Sequence, residues 1–269
     1  VLFRSERWLF CFQLLPLSHK KIGYMKILVC VSKVPDTTAK IAFSNPTTYD
    51  ESGVTFIINP YDEWYALVRA LELKETLGGT VVVASVGGSD YEPIIRKALA
   101  IGADEGVRID APETDAFSVA SEIASYAKDQ SFDLILCGKE TIQYNGGIVP
   151  GLVAEMLSLP YVAGASKLDL NGTTVKLERE IATGVEVFES SLPMVVSAAK
   201  GMAEQRIPNM RGIMAARTKP LNVVAPAAID ALTSYASYSM PAAKSSVKLI
   251  DPNNLDELVT LLHNEAKVI

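Results

Sequence analysis

The chain has 269 residues, of which 49% are hydrophobic and 21% charged, so it can bury a full core and is neither a disordered nor a repeat protein. A net charge of −6 provides no basic field to attract a polyanion, so we expect no nucleic-acid partner. Three cysteines without CxxC spacing and two histidines near opposite ends predict neither a disulfide framework nor a His/Cys metal site, which suits a reducing cytoplasm.

Residues 1–24 differ from the rest of the chain. Two arginines before the apolar run Trp8–Leu17 imitate a signal peptide, but Ser18–Lys21 offers no small-residue cleavage site. The run is also too short to span a bilayer. We interpret residues 1–24 as a disordered extension or an upstream translation artefact, with an export signal as the alternative.

From Met25 onward, apolar strands alternate with amphipathic helices. The first helix should have Asn59 as its cap and Pro60 at its first position. Continuous apolar strands separated by helices predict an α/β fold with a Rossmann-like parallel sheet covered on both faces. The predicted strands are Lys26–Val31, Thr80–Val86, Gly106–Ile109 and Leu134–Cys137, and the predicted helices are Asn59–Leu77, Glu92–Ile101, Ala116–Lys128 and Val149–Leu157.

After Leu157 the pattern becomes that of strands joined by hairpin turns, with Asn171-Gly172 as the clearest turn signal. An antiparallel section should therefore extend the parallel sheet. The predicted strands are Tyr161–Leu170, Thr173–Ile181, Val185–Ser191 and Met194–Ala199. We expect one α/β domain over residues 25–219. Residues 220–269, ending in a helix at Asn254–Lys267, should form a C-terminal helical arm that packs on the core or on a partner chain.

The segment Asp133–Gly147 is the best candidate for a ligand site, because an apolar run stops there at a glycine and opens into a polar loop. A loop between a buried strand and a helix presents unpaired backbone N–H groups and a positive helix terminus, which favour an anion. The turn after Val31, the segment Ser85–Asp90 and the helix start at Asn59 should face the same crevice. The alternative is an ordinary strand-to-helix turn whose glycines serve steric needs.

Standard nucleotide and catalytic motifs are absent. The first strand is followed by VSKVPD rather than GxGxxG, and the chain contains no GxxxxGK[ST]. No Ser/His/Asp set or paired carboxylates appear either, so we predict that the chain is not itself an enzyme.

A second unusual segment, Arg206–Pro220, interleaves basic residues with isoleucines and methionines. It should form a surface loop, and exposed methionines adapt to varied partner surfaces. The alternative is that its apolar side chains pack back into the core.

Six segments in the same order and register resemble the β subunit of the electron-transfer flavoprotein, and the similarity extends from about Met25 to Ile269. They are MKILVCVSKVPDT (25–37), FIINPYDEWYALVRALELKE (56–75), IRKALAIGAD (95–104), DLILCGKETI (133–142), KLEREI (176–181) and RIPNMRGIMAARTKP (206–220).

The resemblance implies a heterodimer with an α subunit that holds most of the redox-active FAD, while this chain binds a structural AMP. Tyr61 and the Val34–Thr37 turn would lie nearest the flavin. The implied nucleotide contacts are Cys30, Asn59, Pro60, Tyr61, Asp62, Val86, Gly138, Lys139, Glu140, Thr141, Ile142, Gln143, Tyr144, Asn145, Gly146, Gly147, Ile148 and Val149.

The resemblance also implies an electron carrier. It would accept electrons from dehydrogenases, such as the acyl-CoA dehydrogenases of fatty acid oxidation, and pass them to a membrane quinone oxidoreductase or another acceptor. It would do so without membrane insertion. The family's recognition loop, with Met210 as its aliphatic anchor, would comprise Arg206, Ile207, Pro208, Asn209, Met210, Arg211, Gly212, Ile213 and Met214.

The chain departs from the family in two segments. Gln143–Gly151 reads QYNGGIVPG where the family commonly reads like DGDTAQVGP, especially in flavin-bifurcating members whose β subunit holds a second FAD. This difference favours AMP, and backbone contacts do not depend on side-chain identity. Met210-Arg211 replaces the usual Leu-Pro.

Two other functional interpretations of the chain stay open. One is an adenine-nucleotide-processing enzyme, because Ser85–Asp90 faintly resembles the SGGxDS loop of ATP pyrophosphatases, although Val86 shifts the spacing. The other is a stress-type nucleotide-binding module, which would lack an obligate partner and the Arg206–Pro220 segment.

Overall fold

The computed structural model of the chain describes residues 24–142, 145–244 and 246–269. The predicted N-terminal extension lies outside these residues apart from Tyr24, as do Gln143 and Tyr144 of the predicted nucleotide loop. The chain divides into two compact units. The larger contains the residues up to Lys40 together with Ser52–Ser234, and the smaller contains Ile41–Glu51 and Tyr235–Ile269.

The strands and helices of the described residues follow in chain order. The strands are β1 (Met25–Cys30), β2 (Lys33–Pro35), β3 (Phe43–Asn45), β4 (Thr48–Tyr49), β5 (Phe56–Ile58), β6 (Gly79–Val86), β7 (Glu105–Ile109), β8 (Leu134–Gly138), β9 (Tyr161–Asn171), β10 (Thr174–Ile181), β11 (Gly184–Ser191), β12 (Met194–Ala198) and β13 (Leu221–Val224). The α-helices are α1 (Asp62–Leu77), α2 (Glu92–Ile101), α3 (Ala116–Lys128), α4 (Val149–Leu157), α5 (Met210–Ala216) and α6 (Leu255–Thr260).

A nine-stranded sheet forms the larger unit, in the order β11-β10-β9-β12-β8-β1-β6-β7-β13. All neighbours are parallel except β9-β10 and β10-β11. Buried residues of α1 and α2 pack with one face of the sheet, and those of α3 and α4 with the other. The predicted Rossmann-like α/β fold with an antiparallel extension is therefore confirmed.

The strand order reverses beside β1. The chain runs outward from β1 through β6 to β7, then returns to β8 on the other side of β1. Ligands of open α/β sheets bind outside the carboxyl ends of the strands at such a reversal. The candidate binding crevice therefore lies over the ends of β1 and β8.

The prediction for the strand Met194–Ala199 is wrong in its pairing. The strands β9 to β11 form the expected antiparallel hairpins, but β12 inserts between β9 and β8 and runs parallel to both. All five residues of β12 are buried. A strand covered by helices on both faces is typical of the centre of a parallel sheet. The short link between β11 and β12 did not indicate that the chain crosses from the edge of the sheet to this position.

The first helix begins at Asp62, two residues after Pro60, its predicted first position. Pro60 and Tyr61 form a turn before it. Asn59 is fully buried, and its side-chain amide donates to the Glu140 carbonyl oxygen at 2.6 Å. Its side chain thus mainly holds the loop after β8 and does not cap the helix as predicted.

Several short elements were not predicted. The strands β2 and β5 pair antiparallel after β1, and α5 occupies part of the segment predicted as a loop. The strand β13 lies within the predicted C-terminal arm, yet it pairs with β7 at the edge of the main sheet. Short elements of three to seven residues carry too little periodicity to be recognised in the sequence.

The smaller unit combines a β3–β4 hairpin with the C-terminal residues. The Phe43 and Tyr238 rings stack there, with centroids 5.0 Å apart. The predicted C-terminal helix is present as α6 followed by a π-helical turn, Leu261–Glu265, and Leu255 and Val259 are exposed. No helix in the described part of the chain is both long and apolar enough to cross a membrane.

Candidate functional site

A cleft lies at the carboxyl ends of β8, β1 and β6, where the strand order reverses. The space within it is about 550 Å³, counting the part open to solvent. The implied nucleotide contacts that line it are Cys30, Val86, Gly138, Glu140, Thr141, Gly146 and Val149. The structure therefore brings together all three predicted strand ends.

Of the implied contacts that the structure describes, the remaining ones do not line this cleft. Asn59 is buried behind the loop that follows β8, and Tyr61 and Ile148 are exposed. The implied contacts Asp62, Lys139 and Gly147 line a neighbouring cavity that shares Glu140 with the cleft. Pro60, Ile142 and Asn145 line neither cavity.

One wall of the cleft is apolar. Ala84 and Val86 contribute to it from the end of β6, and Val119 and Ile123 contribute from α3. Sequence reasoning missed the two α3 residues, although their spacing of four places them on one helix face. Such a wall offers the contact that a nucleobase needs.

The opposite side of the cleft consists of the loop after β8 and the start of α4. The Thr141 N–H donates to the Gly146 carbonyl oxygen at 2.9 Å, which closes the loop into a narrow turn. No side chain caps the N-terminus of α4. The first backbone N–H groups of a helix have no partner within the helix and favour an anion, so this side of the cleft suits a phosphate.

Residues at the start of α1 hold the loop after β8. The Asn59 amide donates to the carbonyl oxygen of Glu140 at 2.6 Å, and an Asp62 carboxylate oxygen accepts from the N–H of the same residue at 3.1 Å. Burial raises the pKa of the Asp62 carboxyl. Both side chains therefore fix the Glu140 peptide at the point where the loop begins.

Glu63 is a site residue that sequence reasoning missed. The residue is 5% exposed and lines the cleft. The two carboxylate oxygens accept from the backbone N–H and from Oγ of Ser32, each at 2.7 Å. Burial raises the pKa of Glu63 to about 7, although the Ser32 hydrogen bonds oppose that rise. Acidic residues are common in the first turn of a helix, so no sequence signal showed that this one turns inward.

Gly138 needs to be glycine because of Glu63. A Cβ atom at position 138 would lie 2.8 Å from Glu63 Cγ, closer than real contacts allow. Gly138, which follows the predicted strand Leu134–Cys137, thus lets α1 approach the end of β8.

Two thiols form the floor of the cleft. Cys30 ends β1 and Cys137 lies near the end of the neighbouring β8, and both are buried. A hydrogen bond with Cys30, together with burial, raises the pKa of the Cys137 thiol well above its usual value. Cys137 is therefore protonated at neutral pH and acts as a small apolar side chain.

The segment Ser85–Asp90 contributes only its first two residues to the cleft. The Ser85 hydroxyl donates to the Val31 carbonyl oxygen at 2.7 Å. A Cβ atom at Gly87 would lie 2.3 Å from the Tyr91 ring, so that ring covers the glycine. The Tyr91 hydroxyl in turn donates to the Glu113 carboxylate. Gly87 and the three residues after it do not line the cleft.

The Arg206–Met214 segment lies on the surface of the larger unit. Arg206 donates two hydrogen bonds to the Glu75 carboxylate, at 2.6 and 2.9 Å. Asn209 caps α5 by accepting from the Gly212 N–H at 2.8 Å. Ile207 is 89% and Met210 74% exposed, so these side chains do not pack into the core.

Comparison with known proteins identifies relatives over most of the chain. A family model described as the electron transfer flavoprotein domain matches residues 47–229. The electron transfer flavoprotein subunit beta of Bacillus subtilis is 38% identical over 259 residues, covering 91% of this chain and 100% of that protein.

Two further relatives align over about three quarters of the chain. The human electron transfer flavoprotein subunit beta is 34% identical, with 75% of this chain and 82% of that protein covered. The acryloyl-CoA reductase electron transfer subunit gamma of Anaerotignum propionicum is 32% identical, with 74% and 77% covered. Together with the cleft and the fold, these matches show that the chain belongs to the electron transfer flavoprotein β-subunit family.

Proposed function

We propose that this chain is the β subunit of a heterodimeric electron carrier, that it binds AMP in the cleft, and that it acts without substrate chemistry of its own. Its α partner would hold most of the redox-active FAD. The observation that carries the proposal is the cleft itself, which lies at the reversal of strand order and joins an apolar wall to the uncapped N-terminus of α4.

The lining of the cleft fits a nucleoside monophosphate. No lysine or arginine is among the described residues that line it. A single phosphate can be bound by backbone N–H groups at a helix start without a cation. The bound AMP would be structural, stabilising the folded chain because the unfolded chain cannot bind it.

The chain would contact the flavin through Tyr61 and the Val34–Thr37 turn. When bound, FAD supplies the ring that accepts and donates electrons. Tyr61 is 53% exposed at the turn before α1. The Val34–Thr37 turn is held by Asp36, whose N–H donates to the Thr55 carbonyl oxygen at 2.8 Å and whose carboxylate accepts from the Thr38 N–H at 2.9 Å. These residues would shape and shield one side of the flavin pocket.

The Arg206–Met214 segment would dock onto electron-donating dehydrogenases, such as acyl-CoA dehydrogenases, with a quinone oxidoreductase or another protein as acceptor. Its exposed side chains Ile207, Met210 and Met214 form an apolar surface of the kind that marks interaction sites. The relative named as an acryloyl-CoA reductase electron transfer subunit supports a partner that acts on acyl-CoA.

We also propose that the C-terminal arm, residues 220–269, packs on the α partner through the part that follows the edge strand β13. The helix α6 exposes Leu255 at 63% and Val259 at 55%. A partner that covered these side chains would remove apolar surface from water.

One experiment tests the proposal as a whole. The chain is purified alone and with its α partner, both samples are denatured, and the released nucleotides are identified by chromatography and absorbance. AMP in both samples with FAD only in the second supports the proposal. FAD released from the isolated chain would mean that the cleft holds a second flavin. Turnover of added ATP would mean that the chain is an enzyme and not an electron carrier.

A further inference from the structure

The order of the strands assigns each part of a bound nucleotide to a different strand end. The phosphate side of the cleft lies at β8 and α4, and the apolar wall lies at β6 and α3. The strand β1 lies between β8 and β6 in the sheet. Because the ribose lies between the base and the phosphate, a nucleotide bound in this way places its ribose over the end of β1.

The polar groups at the end of β1 are Ser32 and Glu63. Each Glu63 oxygen accepts one hydrogen bond from Ser32, at 2.7 Å, and each carboxylate oxygen can accept one more. Glu63 lines the cleft while being 5% exposed. A ligand that donates hydrogen bonds can therefore use the acceptor capacity that Ser32 leaves.

The other two carboxylates of the cleft are placed differently. Glu113 lines the cleft and accepts a hydrogen bond from the Tyr91 hydroxyl. The exposed Glu140 lines both the cleft and the neighbouring cavity at the phosphate side. Of the three, Glu63 is the one that lies at the end of the middle strand.

We propose that Glu63 binds the ribose by accepting hydrogen bonds from its hydroxyl groups, and that it thereby makes the cleft select ribonucleotides over deoxyribonucleotides. This inference rests on the proposed nucleotide site. Ser32 is a positioning residue, because its two hydrogen bonds fix the orientation of the carboxylate. Hydroxyl-to-carboxylate hydrogen bonds are among the stronger ones in proteins.

Two physical effects give the selectivity. A nucleotide that lacks a ribose hydroxyl leaves unused the acceptor capacity that Ser32 does not fill on this buried carboxylate, and sites built to pair with a hydroxyl reject analogues that lack it. A ribose that carries an additional phosphate would bring like charges together at Glu63. The ligand class is therefore a ribonucleoside monophosphate with both hydroxyls free.

The test uses the complex of this chain with its α partner, with FAD in place and AMP removed. Dissociation constants for AMP, 2′-deoxyAMP and 3′-deoxyAMP are measured by equilibrium dialysis at pH 8. We expect the wild-type complex to bind AMP about tenfold more tightly than at least one deoxynucleotide, and Glu63→Gln to reduce that ratio to about twofold. Glu204→Gln, which removes an exposed carboxyl that does not line the cleft, should keep the wild-type ratio.

Each outcome separates the two proposals. Equal binding of all three nucleotides by the wild type overturns the ribose assignment without any variant, as does an unchanged ratio in a folded Glu63→Gln. If the wild-type complex binds AMP poorly or not at all, the nucleotide site itself is wrong and the assignment fails with it. FAD content and thermal unfolding show whether each variant is folded.

Discussion

Glu63 and Ser32 join the start of α1 to the end of β1 through two hydrogen bonds, from the Ser32 N–H and from its Oγ, each 2.7 Å long. The Cγ atom of the same side chain lies so close to Gly138, at the end of β8, that a Cβ atom there would be 2.8 Å away. One buried acidic side chain therefore connects the two strand ends over which the fold places its cleft, and it does so at the cost of burying a carboxylate.

The burial of Glu63 should make stability depend on pH. Its pKa rises from 4.5 to about 7 in the folded chain, so between these values the folded state holds a proton that the unfolded state has lost. The free energy of unfolding that Glu63 contributes therefore falls as pH rises through this window and stays low above it. The full shift, from 4.5 to about 7, corresponds to about 3 kcal/mol.

Glu63→Gln should remove that dependence. Relative to the wild type, the variant should become more stable as pH rises from 5 to 8, as measured by urea unfolding. Asp62, Glu113 and the two cysteines face this site in both proteins, so the difference between the two proteins is the quantity to follow. Glu204→Gln, which removes an exposed carboxyl, is the matched control. A difference that does not change with pH would contradict the prediction.

Gly212→Ala should destabilise α5. A Cβ atom there would lie 2.3 Å from the Ala100 carbonyl oxygen at the end of α2. The two helices would have to move apart, so we expect a loss of about 1–3 kcal/mol in the free energy of unfolding. Urea unfolding measures it, with Ala215→Ser at an exposed position of the same helix as the control. Equal stability of the two variants would show that α5 is not held against α2.

Asn59→Asp should weaken AMP binding without touching the cleft wall. The substitution removes the donor to the Glu140 carbonyl oxygen and places a carboxylate against it. The loop after β8 would then start from a different position, and we expect AMP affinity to fall about five- to tenfold. Equilibrium dialysis measures the affinity, and Asn171→Asp in the exposed β9–β10 turn is the control. Unchanged affinity would mean that the loop does not need this contact.

Much of the fold followed from local signals. The bounds predicted for α2, α3 and α4 agree with the structure, because Gly102, Asp115 and Pro150 mark their ends in the sequence. The position of β12 could not be predicted, since an apolar run shows that a strand is buried but not which strands lie beside it. Strand order depends on contacts between residues far apart in the chain.

The candidate site was predicted only where it depends on strand ends. Cys30, Val86 and Gly138 end apolar runs that are visible in the sequence, and the sheet brings them together. Glu63 and Ile123 lie on helices, where only the packing of the helix decides which side chains face the cleft. A first-turn glutamate is usually a solvated residue, so its burial was not apparent from position alone.

Met210→Ala should slow electron transfer from a partner dehydrogenase while leaving the FAD content unchanged. Met210 is 74% exposed at the first position of α5 and lies far along the chain from the cleft. Removing an apolar anchor from the centre of an interface typically costs more than about 1 kcal/mol of binding. At subsaturating dehydrogenase, we therefore expect the transfer rate to fall about five- to tenfold.

The matched control for Met210→Ala is Met240→Ala, because Met240 is also exposed, at 58%, but lies in the smaller unit. Stopped-flow reduction of the complex by the dehydrogenase, repeated over a range of dehydrogenase concentrations, separates docking from the electron-transfer step. A loss confined to low concentration assigns Met210 to docking, since saturation restores a weakly bound complex. Equal rates for Met210→Ala and the wild type at every concentration would contradict the anchor role and leave the exposed α5 surface to another partner.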